Sequence, residues 1–154
     1  MSLRLLNGDC VKKMESMDSE SIDSIICDPP YGLRFMAKNW DDMGDGASQR
    51  KWHDGWLKEA FRVLKSGGVI KAFSGTRTFH HLLQAMDTVG FTEIKLEAWT
   101  YGSGFPKSLN IGKNIDKITG FDATAPASKE AEQWSSWGTA LKPSWEPICV
   151  GRKP

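Results

Sequence analysis

The chain has almost no net charge: twenty Lys and Arg against nineteen Asp and Glu leave +1 at neutral pH in 154 residues. A global basic field is therefore excluded, and any grip on a polyanion must come from local clusters such as Arg50-Lys51 or Arg152-Lys153. Each of those pairs reads first as a solvated face. Cysteine is scarce too. Cys10, Cys27 and Cys149 stand far apart, without metal-ligand spacing, and their odd number suits a reducing cytoplasm rather than a disulfide framework. His80 and His81 are adjacent, so on a helix they face different directions, and no metal site is expected. No apolar run approaches membrane-spanning length and Met1-Ser2-Leu3 carries no hydrophobic signal, so the expectation is a cytoplasmic protein with no membrane partner. Internal repeats and low-complexity tracts are absent as well. What remains is an ordinary globular composition, 40% apolar and 25% charged, enough for one cored domain spanning residues 1–154.

Against that plain background, Asp28-Pro29-Pro30-Tyr31 stands out. It follows the apolar run Ile25-Ile26-Cys27 and precedes Gly32. Two successive prolines lock φ and remove two backbone donors, leaving nearby carbonyls free to accept from something else. Pro29 also keeps Asp28 out of the helical region, holding its side chain at a strand end. The product is a rigid cluster of acceptors beside a flat ring, which suits an exocyclic amine on a planar base. A proline-rich turn after a strand is the bland alternative.

The rest of the chain alternates strand and helix. Arg4–Asn7 reads as a short strand, Cys10–Met17 as a helix, Ser24–Cys27 as a buried strand and Lys38–Ser48 as a loop. A helix is expected over about Gln49–Lys65, where Trp52, Trp56, Ala60 and Val63 share one apolar face. Ser66-Gly67-Gly68 is read as its stop and Val69–Ser74 as the next strand. A helix opening at Gly75-Thr76-Arg77-Thr78 runs to about Val89 and closes at Gly90. Two late strands, Phe91–Tyr101 and Glu146–Arg152, flank an irregular excursion. This order predicts an α/β fold whose mostly parallel sheet carries an antiparallel pair at one edge.

The tetrapeptide resembles the signature of the amino-methylating, S-adenosylmethionine-dependent DNA methyltransferases, in which Asp at the first position goes with adenine N6. Other segments are similar to the same family. They are Leu6-Asn7-Gly8-Asp9-Cys10, Arg62-Val63-Leu64-Lys65-Ser66-Gly67-Gly68 (with serine where the family has proline), and three stretches shared with phage and prophage members, at 74–80, 101–108 and 137–143. The resemblance runs from about Leu5 to Lys153. It implies a partial Rossmann-like methyltransferase sheet, S-adenosyl-L-methionine as cofactor, DNA as partner and a place in restriction-modification. The base would be flipped out of the duplex, because its amine is unreachable in the stack. Asp28 and the Pro29 carbonyl would accept both N6 hydrogens, with Pro30 stiffening the loop, and Tyr31 would stack on the ring for roughly 1–3 kcal/mol. Gly8, Asp9 and Cys10 would lie at the cofactor.

Gly32, Trp40, Arg77, Phe105 and Lys107 are carried as substrate-side candidates. Trp40 and Phe105, in glycine-flanked loops, suit a wedge or stack against DNA and equally a core cap. Arg77 suits a phosphate or the cofactor carboxylate and equally a surface salt bridge; Lys107 and Lys142 suit backbone phosphates. The family's Phe-x-Gly-x-Gly cofactor loop has no counterpart. Phe73-Ser74-Gly75-Thr76 is followed by Arg77 where the second glycine belongs, and Gly102-Ser103-Gly104 runs into Phe105-Pro106. Poor cofactor binding by this chain alone and an unpaired strand edge are therefore expected, with a second copy or a complementing chain filling the gap. Two further readings stay open: a non-catalytic DNA-binding remnant, and the related chemistry of methylating protein glutamine.

Overall fold

The computed structural model describes residues 3–34, 38–103, 108–120, 128–141 and 144–154. They form two compact units, one from Met1–Trp99 with Glu146–Pro154, the other Thr100–Trp145.

In the first unit the order is α1 (Cys10–Glu15), β1 (Ile22–Cys27), α2 (Gly46–Val63), β2 (Leu64–Phe73), α3 (Phe79–Val89), β3 (Thr92–Thr100) and, after the excursion, β4 (Trp145–Arg152). The sheet order is β1-β2-β4-β3, with β1 parallel to β2 and β4 antiparallel to β2. The two late strands are thus neighbours at one edge, as the sequence predicts, and the fold is mixed α/β. Alternation explains which way each strand faces. Ile25, Cys27, Ile70, Ala72 and Cys149 point to the face where α2 and α3 pack, forming a core with Leu57, Ala60, Leu64, Leu82, Ala85, Met86 and Phe91. The opposite face carries Ile26 at 74% exposure, the Lys71–Glu97 ion pair and Trp99, whose ring meets Phe73 edge-on.

Helix ends follow their capping chemistry. The Asp45 carboxylate accepts from Ser48 N–H (2.8 Å), which starts α2 three residues earlier than its apolar stripe suggests. Gly90, at φ 109°, closes α3 as expected. Within the stripe of α2, Trp56, Ala60 and Val63 are buried, while Trp52 stays 40% exposed and meets His53 edge-on.

Three expectations are corrected. Residues 4–7 form no strand: Leu3, Leu5 and Leu6 are exposed, and among the described residues no strand pairs with them. Extended backbone without a ladder partner leaves its polar groups to water. Ser66-Gly67-Gly68 does not separate helix from strand, because α2 passes directly into β2 at Leu64. These residues bulge instead, between the Ile22–Leu64 and Ser24–Val69 pairs. Gly67 has φ +78°, and a Cβ on Gly68 would lie 2.8 Å from the Lys65 carbonyl oxygen, so the bulge requires both glycines. Arg77 lies in an exposed turn before α3, which begins only at Phe79.

The second unit holds α4 (Ile111–Ile118) and α5 (Lys129–Gln133), packed together. The buried Asp116 carboxylate accepts from the Ser128 N–H (3.1 Å) and hydroxyl (2.7 Å), tying the two helices. Trp134 and Trp137 meet edge-on, both partly exposed.

Candidate active site

The loop leaving β1 begins at Asp28, whose side chain is exposed, while Pro29, Pro30 and Tyr31 are half-buried. The inward-turned carboxylate that would defeat the base-pocket reading is not what the fold shows. Gly75, just after β2, lies beside the aromatic ring: a Cβ there would stand 3.4 Å from Tyr31 Cδ2 and 3.1 Å from Leu33 Cδ1. The ends of the parallel pair β1 and β2 therefore form one site, as expected where parallel strands deliver their carboxyl ends together. Arg77, two residues past Gly75, remains exposed on the same rim.

Gly8, Asp9 and Cys10, which open α1, are all exposed. Burial pushes the Cys27 thiol up to about 12, with Cys10 and Asp28 adding in the same direction. Asp9 is the N-cap of α1: its Oδ1 accepts from Lys12 N–H at 3.1 Å. One oxygen of Asp9 is thus committed to the cap. Neither buried thiol suits a nucleophile, since burial also raises Cys149 to about 12. Among the described residues, no group of three His, Cys, Asp or Glu is placed to hold a metal.

A neighbouring segment, within the stretch read as a loop over Lys38–Ser48, holds the chain after Tyr31. Asn39–Asp41 forms a short 3₁₀ turn in which Trp40 is 60% exposed and Asp41 is 2% exposed. The Gly32 and Leu33 N–H groups donate to the two oxygens of Asp41, at 2.8 and 3.1 Å. The Arg34 N–H donates to the Asp41 carbonyl at 3.1 Å. Trp40, next to Asp41, stays exposed and so does not cap the core, one of the two uses the sequence left open for it. Gln49 of α2 closes the other side, its Nε2 3.4 Å from the Gly32 carbonyl oxygen. Phe105, Lys107 and Lys142 lie outside the described residues.

Comparison with known proteins bears on the family and the fold. A family profile described as DNA methylase matches residues 22–153. The chain belongs to the amino-methylating DNA methyltransferase family. Among curated methyltransferases, it is 25% identical to type II methyltransferase M.HindIII of Haemophilus influenzae, over 97% of this chain and 58% of that protein. It is 29% identical to M.HpaI of Haemophilus parainfluenzae, over 79% of this chain and 39% of that one. The chain thus spans about half the length of these relatives. Among solved structures, PvuII DNA methyltransferase, described as cytosine-N4-specific, superposes with TM-score 0.61 at 19% identity, over 96% of this chain and 48% of that one. A putative DNA modification methylase of Thermus thermophilus, complexed with S-adenosyl-L-methionine, superposes with TM-score 0.56 at 17% identity, over 96% and 51%. Those two likenesses establish the fold, a partial Rossmann-like methyltransferase sheet.

Proposed function

We propose that this methyltransferase chain transfers a methyl group from S-adenosyl-L-methionine to the N6 amine of a flipped adenine in DNA. The observation that carries the reading is the exposed Asp28 at a strand end, followed by a half-buried Tyr31 with one ring edge against Gly75. The cofactor supplies an electrophilic methyl on a sulfonium; the protein supplies orientation. Asp28 and the Pro29 carbonyl accept the two amine hydrogens, which draws the nitrogen lone pair out of conjugation with the ring. The amine nitrogen would take the methyl as its bond to the sulfonium sulfur breaks, leaving a neutral thioether, and Asp28 is the neighbouring group that can take the surplus proton. Tyr31 holds the base by stacking and Trp40 steadies the site's rim. Gly8, Asp9 and Cys10 take the cofactor side, and Arg77 a phosphate or the cofactor carboxylate.

Adenine rests on the Asp of the tetrapeptide, and the test must read the acceptor. Wild-type chain, radiolabelled S-adenosyl-L-methionine and mixed-sequence duplex are incubated, and the digested nucleosides are separated by mass. Labelled N6-methyladenine, lost with Asp28→Ala, is the expected result. Label only on cytosine N4 would move the acceptor while leaving the family intact.

A second reading is a DNA-binding subunit that needs a second copy or a complementing chain to complete the cofactor site. The outer edge of β1 and the exposed Ile26 beside it support such pairing. Calorimetry with S-adenosyl-L-methionine separates the two. Binding in the micromolar range supports a self-sufficient enzyme; no heat at millimolar ligand supports the subunit. A bacterial or phage-infected cytoplasm fits either reading; among the described residues no helix is long and apolar enough to cross a membrane.

A further inference from the structure

We infer that Asp41 is a positioning residue for the aromatic ring of the base site, acting through the backbone immediately after Tyr31. The inference rests on the proposed role of the Asp28–Tyr31 loop. Upstream of Tyr31 the chain is stiffened by Pro29 and Pro30; downstream it meets Gly32, the residue with the most backbone freedom. Gly32 sits at φ +68°, so its N–H and that of Leu33 converge into a small anion-binding concavity. The Asp41 carboxylate is the anion in it, one oxygen to each N–H, at 2.8 and 3.1 Å. Such bonds to an ionised acceptor are about twice as strong as neutral ones, and at 2% exposure water competes little for them.

Gln49 sets the other wall. A Cβ on Gly32 would meet its side chain at 2.9 Å, while its Oε1 is buried without a hydrogen-bond partner. The loop is therefore fixed at both ends of Tyr31: by ring constraint before it and by a buried carboxylate after it. An aromatic ring that has to lie flat against a flipped base needs both. A pivot at Gly32 would let the ring tilt while leaving the cofactor side of the site, at Gly8–Cys10, untouched.

Asp41→Asn keeps the shape, loses one acceptor and sets an NH2 against one of the two amides. With DNA as substrate, kcat falls roughly 10- to 100-fold, the cost of a small misplacement at a reacting centre. KM for S-adenosyl-L-methionine stays unchanged. The exposed neighbour Asp42, which pairs with Arg34, serves as control, and Asp42→Asn keeps full activity. The fall in kcat with KM for the cofactor unchanged is what a merely structural role would not give, and the Gly32 and Leu33 amides report the contact itself: both lie at low field in wild type and shift upfield, with faster hydrogen exchange, in Asp41→Asn. Should Asp41→Asn not fold, Gln49→Ala loosens the same glycine from the other side and is expected to lower kcat in the same sense, and the wild-type amides must still show exchange protection. Full kcat in folded Asp41→Asn, or unprotected Gly32 and Leu33 amides in wild type, overturns the inference. Wild-type protein without any methyl transfer sinks the functional reading instead, and the amide resonances then decide alone whether the carboxylate holds the loop.

Discussion

Tyr31 and the three cysteines show how differently single residues of this chain are used. Tyr31 lies half-buried with one ring edge against Gly75, and the proposed chemistry uses the ring surface that remains. Tyr31→Ala removes a stack of about 1–3 kcal/mol, so DNA affinity is expected to drop roughly 5- to 100-fold with S-adenosyl-L-methionine binding unchanged, measured by anisotropy and calorimetry. Cys27 and Cys149, held up to about 12 by burial, stay protonated at neutral pH, whereas Cys10 is exposed. Iodoacetamide on native protein at pH 8 is therefore expected to label Cys10, and to reach the other two only after denaturation; intact mass and peptide mapping read this directly. Labelling of native Cys27 at the rate of Cys10 would contradict the burial argument.

At the scale of elements, the junction between α1 and α2 depends on one guanidinium. Arg62 donates to the carbonyls of Met14 (2.7 Å) and Met17 (2.9 Å) and pairs with Glu59 (2.8 Å), so it caps α1 from the last turn of α2. Arg62→Ala removes the side-chain donor from both carbonyls, of which Met14 keeps the Met17 N–H at 2.8 Å, and is expected to cost about 2 kcal/mol in urea unfolding, with Arg62→Lys recovering part of it. The same stretch, Arg62 to Gly68, was legible from sequence as a family segment, yet its mechanical content was not. A glycine pair after a helical stripe reads as a stop signal. Only the register between β1 and β2 shows that the pair instead absorbs extra residues in a bulge. Arg4–Asn7 failed for a related reason: local pattern proposes a strand, but a strand exists only where another supplies hydrogen bonds.

For the molecule as a whole, acid stability is set in the core between α2 and α3. His53 is buried, accepts from the indole N–H of Trp56 at 3.1 Å through Nδ1, and is held down to about 4 by desolvation, with His81 adding to the effect. His81 is lowered as well, by its own burial first and then by His80 and Arg50. A base whose folded value lies below its unfolded value favours the native state above about pH 6.5, and that advantage drains away as pH falls toward 4. The loss for His53 is of the order of 3 kcal/mol across that window. Tm is thus expected to fall from pH 7 to pH 4.5, and His53→Gln to flatten the slope while lowering Tm at neutral pH. An unchanged slope in that variant would assign the acid sensitivity elsewhere.

The sequence by itself determined the family and the fold class. Asp28-Pro29-Pro30-Tyr31 is local covalent stiffness that no tertiary context can undo, and strand and helix periodicities report burial directly. It also placed the late strand pair and the Gly90 cap. What the tertiary structure alone decided is which side chains hold the chemistry in place. Asp41 reads as one more acid in a polar loop, and Gln49 as one more polar residue on a helix. Their roles come from approach across nine and seventeen positions, at Gly32, and contacts across such separations follow from how helix and sheet pack rather than from any local pattern.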